Sequence, residues 1–164
     1  VSFSLCSPEI NYGQIAKVYV GNVGYPLTSE NDPAVWATRF AASGAQKIIE
    51  LSVIGDKPLP TANAVPISRG RTANGAKDHL INIKIDETND TNYEMMRSFE
   101  CGKTVLIWFE TYGGLLYGGA SGIQATVTLG EVIPEGTQDI ITFQGTATWK
   151  DKFSPCRTQS PISG

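Results

Sequence analysis

Between Lys77 and Trp149 the chain repeats one pattern, apolar and polar residues alternating with a period of two, and a single short helical segment interrupts it. Successive side chains of a strand point to opposite faces, so in His79–Asp86 the residues Ile81, Ile83 and Ile85 share one face. Leu80, Asn82 and Lys84 share the other. Lys103–Thr111 is the most hydrophobic stretch of the chain and predicts a central strand. Ile123–Leu129 and Asp139–Trp149 alternate again, with Pro134-Glu-Gly136 as the turn between them. Segments of this kind bury sheet faces against one another, which restricts the chain to a mainly β fold.

The helical interruption begins at Asp90-Thr-Asn-Tyr-Glu94. Thr91-x-x-Glu94 has the spacing of a capping box, and the helix it predicts runs from Asn92 to Cys101 and closes at Gly102. Tyr93, Met96 and Phe99, with Met95 beside them, form its apolar side. Upstream, Ile15–Val20 alternates and stops at Gly21. Asp32-Pro33 supplies an N-cap and a proline at the first helical position, which predicts a second short helix near residues 33–43 with Trp36 and Phe40 on one face. Gln46–Ile54 reads as a strand apolar on both faces. Gly113-Gly114 turns the chain, and Leu115-Leu-Tyr-Gly118 returns.

Residues 55–76 keep no period; Pro58, Pro60, Pro66, Gly70 and Gly75 break them up. An irregular stretch of that length inside one domain predicts a projecting hairpin or arm that orders against something else. Its candidate interface residues are Pro58, Pro60, Pro66, Arg69, Arg71 and Lys77. The basic members suit phosphates or carboxylates of a neighbouring copy. Residues 154–164 form a tail without a core pattern. With 164 residues and no internal repeat, residues 1–164 read as a single β-rich domain.

Charge and chemistry narrow the function. A net charge of -3 and a pI near 5.1 argue against an open nucleic-acid-binding face. No stretch approaches the roughly 20 apolar residues of a membrane helix, and Val1–Cys6 lacks the flank and core of a signal peptide. Cys6, Cys101 and Cys156 stand far apart and read as reduced thiols, with a Cys6–Cys156 bridge as the alternative. The one histidine, His79, reads as a solvated strand-end residue rather than a base or metal ligand. Gly102-Lys103-Thr104 has Arg97 where a P-loop needs its first glycine, and it leads into a strand. Tyr117-Gly-Gly-Ala-Ser-Gly122 reads as a turn or bulge. Glu94, Glu100, Glu110 and Glu131 read as solvated positions, though paired carboxylates would leave a glycosidase-like reading open. Trp36, Trp108 and Trp149 fall in periodic segments and read as core. The expectation is therefore a non-enzyme with no catalytic residue, metal or cofactor.

The layout resembles that of the tail-tube proteins of tailed bacteriophages and the related Hcp proteins of secretion systems. The resemblance is carried by length, the strand-flanked helix Asn92–Cys101, the proline-containing loop before it and two long final strands, over roughly residues 10 to 150. Phe143-Gln-Gly-Thr-Ala-Thr-Trp149 is similar in kind to the terminal strand of viral tail and baseplate proteins. The resemblance implies a β-sandwich or split β-barrel with one flanking short helix. It also implies rings, usually hexameric, stacked into a conduit. Inner strands of neighbouring subunits would pair edge to edge, the 55–76 loop would reach the next ring, and acidic groups would face passing DNA. Its partners would be copies of itself and other virion proteins, without a membrane, in the virion and beforehand in the host cytoplasm. Two other readings stay open: another virion component, such as a capsid decoration, neck or tail-completion protein, and a non-viral β-barrel that binds a ligand.

Overall fold

A computed structural model describes residues 13–62, 64–66, 70 and 72–162. The elements in chain order are β1 (Ile15–Gly21), α1 (Pro33–Ala41), β2 (Ile49–Asp56), β3 (Ala64–Pro66), β4 (Thr72–Asn74), β5 (Lys77–Ile85), α2 (Asp90–Ser98), β6 (Lys103–Thr111), β7 (Leu115–Tyr117), β8 (Ile123–Val132), β9 (Thr142–Asp151) and β10 (Arg157–Gln159). Six strands close into an antiparallel barrel in the order β1-β2-β5-β9-β8-β6, with β6 returning to pair β1. The fold is mainly β, a barrel with two short helices, as the alternation requires.

β6 explains the closure. Its first half, Lys103–Ile107, pairs β8, while Leu106–Thr111 pairs β1 on the other side. Val105, Ile107 and Phe109 point into the barrel, and Leu106, Trp108 and Glu110 point out, yet all six are buried. The outer three lie beneath a second layer in which Tyr19, Trp36, Ile48 and Leu116 join Leu106 and Trp108. α1 supplies that layer. Trp36 meets the Trp108 ring edge-on at 5.6 Å and lies 5.1 Å from Tyr19. Asp32 caps the helix by accepting from the Ala34 amide at 2.9 Å.

A bulge between Ile15 and Lys17 sets the face of β1. Without it Ile15 would share the outward parity of Lys17 and Tyr19; with it Ile15 joins Val18 and Val20 in the inner core. β5 and β9 fill much of that core with Ile81, Ile83, Ile85, Phe143, Ala147 and Trp149. α2 lies against the end of the barrel near β8 and contributes Met96, with Phe99 at its C-cap. It starts two residues earlier than the capping-box spacing predicts and ends at Ser98, short of Cys101. Asn89 is the cap, its Oδ1 accepting from the Asn92 amide at 2.9 Å, because Thr91 already lies inside the helix.

The glycine-rich segment after β7 serves Trp108. Its indole Nε1 donates to the Gly119 carbonyl at 2.7 Å. A Cβ on Gly118 would sit 2.7 Å from the ring and one on Gly122 2.8 Å, and both residues have positive φ. The chain beyond residue 153 is less loose than its composition predicts. β10 pairs β7, Ser160 is buried, and Ile162 packs on the outer layer.

Candidate interaction surface

The barrel has two unlike ends. At one end lie the start of β1, the end of β2, the start of β5 and the end of β9, and the segment expected as an arm joins the barrel there. β3 and β4 form a two-stranded sheet of their own, and the arm's base is pinned by the Thr61 and Asp78 backbones, which exchange bonds of 3.0 and 2.9 Å. Of the predicted interface residues, Pro58, Pro60 and Lys77 gather at this base. Pro66 lies in β3, while Arg69 and Arg71 fall outside the described residues. Sequence reasoning missed the apolar residues around them: Leu59 is 93% exposed, Tyr112 76% and Phe153 70%.

A cavity of about 500 Å3 opens at this barrel mouth. Its floor is Ile15 and the stacked rings of Phe109 and Tyr117, 4.9 Å apart. Gln14, Asp56, Lys57, Thr111 and Ser154 line the sides. Gln14 holds a φ of 76°, a costly left-handed conformation for a side chain of this kind. It is fixed there by the Tyr112 amide, which donates to the Gln14 carbonyl at 2.9 Å. Burial pushes the Lys57 ammonium below the usual lysine range, and among the described residues it has no anionic partner.

At the other end stand α2, the start of β2 and the β8–β9 connection. Ile133 (68% exposed) and Ile140 (63%) project there, flanked by the partly exposed Val132 and Ile141. Glu135 and Asp139 share this hairpin tip, and α2 adds Asp90 and Glu94, all exposed. The outward side chains of β5, β9 and β8 between the two ends are Leu80, Asn82, Lys84, Gln144, Thr146, Thr148, Gln124, Thr126 and Thr128. No carboxylate occurs among those nine; carboxylates gather at the α2 end, while Asp56, Asp78 and Asp151 stand at the opposite end.

Two ionisable residues depart from their expected setting. His79 is buried, not solvated, because it shares the parity of Ile81, Ile83 and Ile85. Its ring stacks on Trp149 at 5.3 Å and its Nε2 lies 3.0 Å from the Asp151 carbonyl. Glu110 is also buried, at 3% exposure, while Glu94, Glu100 and Glu131 are exposed as expected. Its Oε2 accepts from the Tyr19 hydroxyl at 3.0 Å, and its Oε1 has no partner among the described residues. Burial first, then the Glu110 charge, drives the Tyr19 hydroxyl well above the usual tyrosine range. Glu110 and the other three glutamates do not converge on one site. Among the described residues no three His, Cys, Asp or Glu side chains group as metal ligands.

Cys101 and Cys156 are free and exposed; Cys6 lies outside the described residues. The depression of about 420 Å3 beside Arg39 is structural in origin. The guanidinium there is used by the Tyr25, Pro26 and Gln46 carbonyls at 2.7, 2.9 and 2.6 Å, which tie α1 to its neighbouring loops. No helix among the described residues is long and apolar enough to cross a membrane. No protein-family model matches the chain, and no curated protein sequence matches it either.

Proposed function

We propose that this chain is a structural subunit that assembles with copies of itself, in the manner of a phage tail-tube protein whose rings stack into a conduit for DNA. One observation carries the reading. Large apolar side chains stand in water at both opposite ends of the barrel: Leu59, Tyr112 and Phe153 at one, Ile133 and Ile140 at the other. Exposed apolar groups gathered in this way mark contact surfaces. Two different surfaces on opposite sides of one subunit are what a head-to-tail polymer needs. The separate β3–β4 hairpin fits the same reading, since a two-stranded hairpin by itself is marginal in water.

The edge-to-edge mechanism implied by the resemblance takes a narrower form. β1 and β6 close the barrel within one chain, so neighbours are not needed for closure. Among the described residues, backbone edges remain where β2 and β5 part, since they pair only over Ile54–Asp56, and along the outer side of β10. The filled interior favours an assembly role over a barrel that carries a ligand inside.

The test combines light scattering with electron microscopy of the purified chain and of an arm-deleted variant. In the variant, Asn-Gly replaces residues 63–76, a turn that the Thr61–Asp78 pairing positions as a hairpin. The expected result is rings or filaments for the full chain at high concentration. The variant should unfold within about 1 kcal/mol of the full chain, because shortening a loop changes stability little, and should not assemble. A full chain that stays monomeric at high concentration across a range of salt overturns the reading.

A further inference from the structure

We propose that the β8–β9 tip of one copy plugs the barrel mouth of the next, so that consecutive layers join tip into mouth. This rests on the self-assembly reading and names its contact. The mouth is a concavity of about 500 Å3 with an apolar floor of Ile15, Phe109 and Tyr117. At liquid density that space holds roughly 15 waters, whose release favours an apolar occupant. The tip is the matching convexity, a hairpin connection at the opposite end of the same barrel whose Ile133 and Ile140 face solvent. The two surfaces point in opposite directions, as head-to-tail contact demands.

Charge selects the occupant. Lys57 sits half-buried in the mouth without an anionic partner among the described residues, so a carboxylate arriving there finds a cation to pair with. The tip carries two carboxylates, Glu135 and Asp139, and no base. A tip entering the mouth brings carboxylates to Lys57 and covers Ile133 and Ile140 in one step. Asp56, exposed on the rim, repels an incorrectly seated carboxylate and so favours one register.

The experiment uses two variants of the full chain, a mouth variant (Lys57→Glu) and a tip variant (Glu135→Lys with Asp139→Lys). Both alter side chains outside the core, and circular dichroism with thermal melts establishes that each is folded. Each variant alone should lose end-to-end stacking, with joint affinity falling roughly tenfold or more on charge reversal. Mixing the mouth variant with the tip variant should restore stacking in strict alternation, because the reversed tip seats in the reversed mouth and the unaltered tip in the unaltered mouth. Combining all three substitutions in one chain should restore stacking. Ile140→Asp, an exposed position, serves as a second tip variant and should abolish stacking without lowering the melting temperature. Wild-type stacking with every variant stacking equally well overturns the tip-into-mouth contact and leaves self-assembly standing. Loss of stacking in the single variants with no recovery in the mixture or the combined chain also overturns it. A wild-type chain that never associates removes both the contact and the reading beneath it.

Discussion

Removing the Tyr19 hydroxyl isolates a buried hydrogen bond to a carboxylate in the outer layer. The bond from Tyr19 to Glu110 Oε2, 3.0 Å long, is the only one the carboxylate receives among the described residues, and both side chains are buried. Tyr19→Phe keeps the ring against Trp36 and Phe40 but leaves a buried carboxylate with no donor. A hydrogen bond to a charged group contributes about 1.5–3 kcal/mol, and an orphaned charged group loses at least as much. The expected cost is therefore about 2–3 kcal/mol. Glu110→Leu removes the charge and orphans only a neutral hydroxyl, costing about 1–2 kcal/mol. The double variant removes both partners and should lie within about 1 kcal/mol of the wild type, as buried ion sites often do on apolar replacement. The cycle then closes on a coupling of roughly 3 kcal/mol. Urea unfolding read by tryptophan fluorescence measures it, at constant m. A Tyr19→Phe variant within about 0.5 kcal/mol of wild type, or losses that simply add, would refute the pairing.

Two further outcomes follow from the same layer. In the unfolded chain Tyr19 ionises near its ordinary pKa of 10.0, whereas in the fold it stays protonated to higher pH. The folded state therefore holds the extra proton above about pH 10, and stability present below that pH is lost as pH rises. Wild type should lose stability more steeply than Tyr19→Phe above pH 10 and in parallel with it below; parallel curves throughout would contradict the assignment. Trp36→Ala should cost about 3–5 kcal/mol, since it empties a fully buried site and removes the Nε1 bond to the Glu30 carbonyl. For a domain of this size that lowers the melting temperature by roughly 10 °C, checked by calorimetry.

Much of the core could be read from residue order. Ile81, Ile83 and Ile85 face inward because a strand places alternate residues on one side, and that parity needs no knowledge of neighbours. Asp32-Pro33 likewise started α1 where local capping dictates. His79 shows the limit of reading a residue by its chemistry alone: its parity with the isoleucines pointed inward, and Trp149 opposite it supplies the ring that covers it. Composition also misled at residues 157–162, where a short polar strand is held by pairing with β7 rather than by its own pattern.

What the amino-acid order determined is therefore local: which residues alternate, where helices cap, where glycine permits a turn. What only the tertiary structure decided is who covers whom. The burial of Glu110 depends on Tyr19, 91 residues away along the chain, and the bulge at Ile15 sets which face of β1 enters the core. The two apolar ends depend on barrel closure, which carries Leu59, Tyr112 and Phe153 to one pole and Ile133 and Ile140 to the other. Such pairings join segments far apart in sequence, and periodicity carries no information about the partner across a ladder.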